Sequence, residues 1–289
     1  MNDDRTVAVE YQPPGEAFGL LSNDLRVEIV RTLGEAGEPM SFSAIRGAVG
    51  AEDSGQFNYH LRKLVDHFVT HGDEGYTLSM AGDRVYGAIL SGAYTANASI
   101  APFEFEGPCP LCGHDTLNAE YEDENAKLSC PDCSEWHNEF PFPPGSLDQF
   151  ARADLPAAFD RWMHATVTKF FQGFCENCGG RIDGALERSS ENDHVPVRAL
   201  FECGRCGDEL RCSPMLPVLF HPTAVSFLET HGVDVLHDPS WRYYGVDDDV
   251  SVEMAGDDPL TARLSITVDG AELTATVGPD VEIEKISAN

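Results

Sequence analysis

Residues 53–68, DSGQFNYHLRKLVDHF, are the stretch that decides how the N-terminal third of this chain folds. At about 100° per residue, the large apolar side chains fall within one narrow sector of a helix and the polar ones fall opposite. The predicted buried stripe consists of Phe57, Leu61, Leu64 and Phe68. The predicted polar face consists of Gly55, Gln56, Tyr59, Arg62 and Lys63, flanked by Asn58 and His60. The stretch therefore predicts an amphipathic helix with one face in solvent.

Two short helices are predicted before this stretch. The first begins behind Ser22, a suitable N-cap, and ends near Gly34 or Gly37. The second begins behind Ser41 and ends at Gly50. A short helix, a Gly-containing turn and a helix that is polar on one face form the helix-turn-helix pattern.

A hairpin and a closing helix are predicted after this stretch. Residues 68–79, FVTHGDEGYTLS, have the pattern of strand, turn and strand, and residues 80–90, MAGDRVYGAIL, have that of a helix. A hairpin in this position is a wing. The order over residues 22–92 therefore predicts a winged helix-turn-helix domain.

The polar face of the third helix has the composition of a major-groove reader. Gln and Asn can pair bidentately with adenine, Arg and Lys can bind guanine or phosphate, and Tyr can reach a phosphate or a thymine methyl. The candidate DNA-binding residues are Gln56, Asn58, Tyr59, Arg62 and Lys63. The alternative is a winged helix that serves protein contacts, with Arg62 and Lys63 merely solvated. We favour DNA because this face lacks the apolar anchors of a protein interface.

Residues 57–82, FNYHLRKLVDHFVTHGDEGYTLSMAG, resemble the ArsR-type winged helix, in which H-L, K-L and G-Y-T-L-S occupy these positions. The resemblance implies a transcriptional regulator that binds double-stranded DNA as a homodimer through its outer helices. Two features depart from that family. First, the predicted wing tip is acidic, with Asp73 and Glu74. Second, no cysteine precedes Cys109, so the resemblance does not imply that this domain senses metal.

The charge balance is strongly acidic, with 49 Asp and Glu against 19 Lys and Arg and a formal net charge of −30. Such a composition resembles that of haloarchaeal proteins, whose acidic surfaces remain dispersed when salt screens their repulsion. Bulk charge then says little about nucleic-acid binding, and the local charge of the reading helix matters.

The acidic start is unlike a signal peptide, and no apolar stretch approaches the ~20 residues of a membrane span. We expect a cytoplasmic protein without a membrane partner.

Eight of the nine cysteines form four C-x-x-C pairs, which predict two zinc ribbons. Seventeen residues separate the pairs of the first quartet and twenty-four those of the second. The predicted ligands are Cys109, Cys112, Cys130 and Cys133 in the first site, and Cys175, Cys178, Cys203 and Cys206 in the second. Four thiolates leave no open coordination position, so both Zn²⁺ ions are expected to be structural.

Other interpretations of these residues remain open. The C-x-x-C pairs could act as redox disulfides, although two complete quartets favour zinc. Cys212 is left over and is more often a small buried hydrophobic residue than a sensor. His114 and His137 lie near the pairs and could replace a thiolate, but complete quartets make them spectators.

The remaining segments complete an α+β architecture. Ser146 and Gln149 form a capping box that predicts the start of the helix after the first ribbon. Asp269 and Gly270 predict a two-residue turn in a C-terminal antiparallel β-hairpin that pairs Val268 with Ala271 and, further out, Ala262 with Val277. The predicted segments are an N-terminal arm (1–21), the winged helix-turn-helix (22–92), a linker (93–108), ribbon 1 plus helix (109–174), ribbon 2 plus helix (175–240) and a C-terminal β segment packing on the zinc-ribbon region (241–289).

These features bear on three classes of function. A DNA-binding transcriptional regulator accounts best for the N-terminal domain. The alternative is an interaction module of the basal transcription apparatus, because a winged helix followed by a zinc ribbon also resembles the archaeal factor related to the TFIIE alpha subunit. An enzyme is not expected, since the sequence contains no phosphate loop, nucleophile elbow or HExxH motif.

Overall fold

The computed structural model describes residues 11–133, 135–190, 195–243 and 249–289. The chain is mixed α+β with small antiparallel sheets, and it divides into two compact units. Within the described residues, the first unit runs to Asn97 and includes Pro143–Ser146, and the second contains the rest. Residues 1–10 of the predicted arm lie outside the described residues.

The first unit is a helical unit with one hairpin. Its elements are α1 (Pro14–Gly19), α2 (Asp24–Ala36), α3 (Phe42–Ala48), α4 (Ser54–Leu64), β1 (Val69–Gly72), β2 (Gly75–Leu78) and α5 (Met80–Leu90). Strands β1 and β2 are antiparallel. The core contains the predicted stripe of α4 and side chains from α2 and α3, namely Ile29, Val30, Leu33, Ile45, Phe57, Leu61, Leu64, Phe68 and Val69.

The helix boundaries of this unit confirm some predicted caps and correct others. Ser41 caps α3, because its hydroxyl accepts the N–H of Ala44 at 3.2 Å. Ser22 does not cap α2, because its hydroxyl donates to the carbonyl of Gly19 and the helix begins after Asn23. The predicted arm also contains α1, whose first helical residue is Pro14. Proline fits there because the first turn of a helix needs no N–H donor.

The second unit begins with a four-stranded antiparallel sheet that carries the first cysteine quartet. In spatial order its strands are β3 (Ile100–Glu106), β4 (Thr116–Glu122), β5 (Asn125–Ser129) and β6 (His137–Pro141). Strand β3 lies inside the stretch assigned to a linker, 93–108. Along β3, Phe103 and Phe105 alternate with exposed glutamates, and both phenylalanines pack on the core. This alternation is that of a strand with one buried face, and the stretch pairs with β4.

The helix after the first sheet is α6 (Leu155–Phe171), and it begins later than predicted. Ser146 and Gln149 lie in a 3-10 helix, Pro144–Gln149, and do not form the predicted capping box. The N–H of Ser146 donates to the carbonyl of Pro143 at 3.0 Å, so it is already used in a turn. The longer helix starts at Leu155, where Pro156 can occupy its first turn.

Two further sheets share one core in the rest of the second unit. The elements are β7 (Ile182–Arg188), β8 (Val197–Cys203), β9 (Glu209–Cys212), α7 (Met215–Leu219), α8 (Pro222–Thr230), α9 (Ser240–Tyr243), β10 (Asp249–Asp257), β11 (Leu260–Val268), β12 (Ala271–Val277) and β13 (Ile283–Ala288). Strands β7–β9 form one antiparallel sheet and β10–β13 another. Buried side chains of both sheets, such as Val197 and Leu264, belong to the same hydrophobic cluster.

The predicted register of the C-terminal hairpin is confirmed. Val268 pairs with Ala271 and Ala262 pairs with Val277 across β11 and β12. Ala262 and Val277 are fully buried, which is why a one-residue slip would expose the apolar face. Among the described residues, no helix is long and apolar enough to cross a membrane.

Candidate functional sites

Helix α4 is fixed at its N-terminus by Asp53. One carboxylate oxygen of Asp53 accepts the N–H groups of Gly55 at 2.7 Å and Gln56 at 3.0 Å. These bonds satisfy donors that a helix start leaves free, and the negative charge suits the positive end of the helix dipole. The backbone N–H groups of Gln56 and Gly55 lower the pKa of Asp53 below its ordinary value. The cap thus positions the start of the polar face.

The two faces of α4 differ as predicted. The apolar side chains Phe57, Leu61 and Leu64 are 0% exposed, and Phe57 meets Phe42 edge to face at 4.9 Å. All five candidate DNA-binding side chains are exposed: Gln56, Asn58, Tyr59, Arg62 and Lys63. Within this set, the Lys63 ammonium lies 5.9 Å from the centre of the Tyr59 ring. The structure therefore brings the five residues together on one solvent-facing surface.

His60 is not part of that surface, contrary to its predicted flanking position. It is 8% exposed and lies on the buried side of α4. Burial lowers the pKa of His60, and the positive charge of Arg26 lowers it further. Helical periodicity places His60 at the border between the two faces of α4. Packing against the other helices determines that its side chain is buried.

The β1–β2 hairpin beside α4 is held to the rest of the first unit by Met40. Met40 and Tyr76 exchange two backbone hydrogen bonds, of 3.0 and 2.9 Å. His71 stacks on Tyr76 with ring centres 4.1 Å apart. The turn between the strands carries the carboxylates of Asp73 and Glu74. The tip of the hairpin is therefore acidic, whereas the polar face of α4 carries positive charge.

The eight predicted ligands form two clusters of four cysteines. Within each cluster all Sγ atoms lie within 4.8 Å of one another. In the first, Cys109 and Cys133 are 3.7 Å apart, and in the second, Cys175 and Cys206 are 3.6 Å apart, measured between Sγ atoms. Metal–sulfur bonds of about 2.3 Å at tetrahedral angles require a separation of about 3.8 Å. A disulfide would require about 2.05 Å. Both clusters therefore fit a tetrahedral metal ion.

Backbone N–H groups support the sulfur atoms. In the first cluster, the N–H groups of Trp136 and Glu135 lower the pKa of Cys133 to about 7, whereas burial raises the pKa of Cys109 to about 12. In the second cluster, the N–H groups of Cys206 and Arg205 lower the pKa of Cys203 to about 7. Such donors stabilise thiolate, the form that binds metal. Backbone donors thus lower the pKa of Cys133 in the first cluster and of Cys203 in the second.

The residues considered as alternatives to the cysteine quartets lie outside the two clusters. The two metal-ligand clusters in the described residues consist of cysteines alone, so neither His114 nor His137 joins them. Cys212 packs against the large core of the second unit, and burial raises its pKa to about 12. Asp208 is a neighbour that sequence reasoning missed. Its carboxylate lies 3.3 Å from the Sγ atom of Cys175.

A buried polar contact that the sequence did not predict joins α6 to α9. Asp160 is 1% exposed, and its carboxylate accepts both the hydroxyl of Ser240 and, at 3.0 Å, the N–H of Ser240. Burial raises the pKa of Asp160. Next to Ser240, Trp241 is 4% exposed and packs edge to face on Phe105. An aspartate on the apolar side of a helix was the signal that could have indicated such a contact.

Comparison with known families divides the chain in a similar way. Residues 106–283 match the family described as Domain of unknown function (DUF7351), and the chain belongs to this family, because the match covers more than half of its length. Residues 14–89 match a second family, Domain of unknown function (DUF7347), and span α1 to α5. No curated protein and no solved structure matches the chain.

Proposed function

We propose that the protein is a cytoplasmic DNA-binding transcriptional regulator of the ArsR-like winged-helix type, in which α4 reads the major groove of double-stranded DNA. The observation that carries the proposal is the division of α4 into two faces. Three apolar side chains on one face are completely buried, and five polar or charged side chains share the other. The order α3, turn, α4, hairpin and α5 supports it, because a reading helix is presented in this way by winged domains.

The reading face combines side chains for bases and for phosphates. Gln56 and Asn58 offer amides that can pair bidentately with adenine. Arg62 can pair with guanine or a phosphate, and Lys63 adds a positive charge near the end of the helix. Because the Asp53 cap fixes the first turn of α4, Gln56 has a defined position relative to the later residues.

The acidic hairpin tip restricts how the domain approaches the duplex. Asp73 and Glu74 would be repelled by phosphates at close range, so the hairpin is expected to make no direct phosphate contact through its tip. Sequence recognition would then depend on α4 alone in each subunit. A homodimer would supply the second reading helix and the affinity that one helix lacks.

Salt defines the conditions of binding. A net charge of −30 fits a high-salt cytoplasm. Phosphate contacts contribute little there, because the logarithm of the binding constant falls linearly with the logarithm of the salt concentration. Base contacts by Gln56, Asn58 and Arg62 must then supply most of the selectivity. Selective binding in molar KCl is therefore a demanding test of the proposal.

The two cysteine clusters are proposed to hold structural Zn²⁺. Four sulfur ligands leave no position for water or substrate, so the metal would have no catalytic part. The metal would supply folding energy to the sheets that carry the cysteines. Within the proposal, the second unit serves dimerisation, effector binding or partner contacts.

The test is footprinting of the zinc-loaded protein on genomic DNA near its own gene in molar KCl. The wild type is expected to protect a discrete site that the triple variant Gln56→Ala, Arg62→Ala, Lys63→Ala does not protect. A matched control removes the same positive charge elsewhere, by Arg181→Ala and Arg263→Ala, and should leave the footprint intact. Absence of any selective protection would refute the regulator and leave the protein-interaction module of the basal apparatus.

A further inference from the structure

The second unit contains an open groove that the proposed DNA contact does not use. Its volume is about 620 Å³, a size typical of small-molecule sites. The groove runs along β3, between the first turn of α6 and α9. Its walls include the apolar side chains of Phe103, Phe105, Pro156 and Trp241, the arginines Arg152 and Arg242, and two glutamates of β3, Glu104 and Glu106.

The two arginines are available to a ligand. The guanidinium carbon of Arg152 lies 4.5 Å from the centre of the Phe103 ring, and one of its nitrogens donates to the carbonyl of Ala101 at 3.3 Å. None of the ion pairs within the described part of the chain involves Arg152 or Arg242. In a chain with 49 acidic and 19 basic residues, the groove therefore contains two guanidinium groups that have no ion-pair partner among the described residues.

The edge of β3 adds backbone donors to the groove. This strand is at the edge of its sheet, so only one side of it pairs with β4. The N–H of Gly107 donates to Asp115 at 3.0 Å, and alternate residues of an antiparallel strand face the same way. Residues 103 and 105 therefore direct their amides to β4, and Glu104 and Glu106 direct theirs to the open edge. The glutamate side chains lie on the face opposite Phe103 and Phe105.

The α9 wall of the groove is held in place by a buried hydrogen-bonded pair. The Asp160 carboxylate on α6 accepts two hydrogen bonds from Ser240, the residue before Trp241. A side chain at Gly107 would collide with Trp241, since an added Cβ would lie 2.8 Å from its indole nitrogen. The indole therefore packs closely against the end of β3, and the groove is preformed.

We propose that this groove binds a small organic carboxylate with an apolar body. The two guanidinium groups and the outward N–H groups of Glu104 and Glu106 would receive the carboxylate. Charged hydrogen bonds of this kind are about twice as strong as neutral ones. The apolar body would lie against Phe105, Pro156 and Trp241. The inference concerns the second unit alone and does not depend on DNA binding by α4.

The experiment is calorimetric titration of the zinc-loaded full chain with hexanoate, benzoate and phenylacetate, each compared with its neutral amide. At least one acid is expected to bind saturably, and at least tenfold more tightly than its amide. Arg242→Gln and Arg152→Gln should each weaken binding at least tenfold. Arg181→Gln, a matched substitution of an exposed arginine outside the groove, should have no effect. Zinc content and circular dichroism verify that each variant is folded.

Several results would overturn the inference. One is that none of the three acids binds saturably at concentrations up to about 10 mM. Binding with a dissociation constant above this value has little specificity. Equal binding of acid and amide, or unchanged binding by Arg242→Gln, would also overturn it. A neutral extended peptide, acetyl-valyl-valine methylamide, serves as a further probe of the strand edge. If it binds and the acids do not, the groove is a site for strand addition.

Discussion

Replacement of Phe57 by Ala separates the packing role of α4 from its proposed reading role. Phe57 is fully buried and packs edge to face on Phe42. Removing a buried Phe side chain costs about 3–5 kcal/mol, because the lost burial and the remaining cavity both destabilise the fold. Domains of this kind have free energies of unfolding of about 5–15 kcal/mol. The unfolded fraction of the first unit should therefore rise roughly a hundred- to a few-thousand-fold.

The assay is hydrogen exchange of the α4 amides in the full chain, with zinc content as an internal check on the second unit. Exchange in Phe57→Ala should accelerate across α2, α3 and α4, while the metal content of the second unit should not change. The neighbouring substitution Gln56→Ala affects an exposed side chain and should change the free energy of unfolding by less than about 0.5 kcal/mol. The reasoning is refuted if Phe57→Ala costs less than about 1 kcal/mol, or if Gln56→Ala costs as much.

Three further predictions concern the metal clusters, the helix cap and the hairpin. Removal of the proposed zinc by a strong chelator should unfold the cysteine-bearing sheets and leave exchange in α4 unchanged, as measured by metal analysis and hydrogen exchange. Protection of these sheets without metal would contradict a structural role. Asp53→Ala should lower the stability of the first unit near neutral pH, whereas Asp53→Asn should preserve the cap. Because the folded-state pKa of Asp53 is lowered, its ionised form contributes stability above the unfolded-state pKa, near 3.8, and that contribution is lost as pH falls through the folded-state pKa. The difference in stability between wild type and Asp53→Ala should therefore become smaller in acid, as measured by denaturant titration, and a constant difference would contradict this. Gly75→Ala should destabilise the hairpin by about 1–3 kcal/mol, because Gly75 has a φ of 135° and a Cβ there would lie 2.5 Å from the carbonyl oxygen of Met40. The measurement is thermal unfolding, and Gly72→Ala is the control, because no atom lies within 4 Å of the added Cβ. An equal loss of stability in the two variants would contradict the prediction.

Features that depend on local periodicity could be predicted from the sequence. The stripe of Phe57, Leu61 and Leu64 is buried because residues spaced by three and four positions share one side of a helix. The pairing of Val268 with Ala271 follows from the turn at Asp269 and Gly270. The grouping of cysteines into quartets follows from their paired spacing, since a C-x-x-C turn brings two sulfur atoms to one ion.

Features that depend on contacts between distant segments could not be predicted in this way. His60 lies at the border of the two faces of α4, and packing of other helices decided that it is buried. Glycine and small residues around 93–108 indicated a linker, but the availability of β4 as a partner made β3 a strand.

The sequence by itself determined the two faces of α4, the membership of each cysteine quartet and the C-terminal register, because each depends on spacing along one short segment. Only the tertiary structure decided the groove beside β3. Asp160 and Ser240 are 80 residues apart, and their contact positions Trp241 next to a strand from a third segment. Such contacts result from the packing of whole elements, and no local pattern of residues specifies which distant segments will meet.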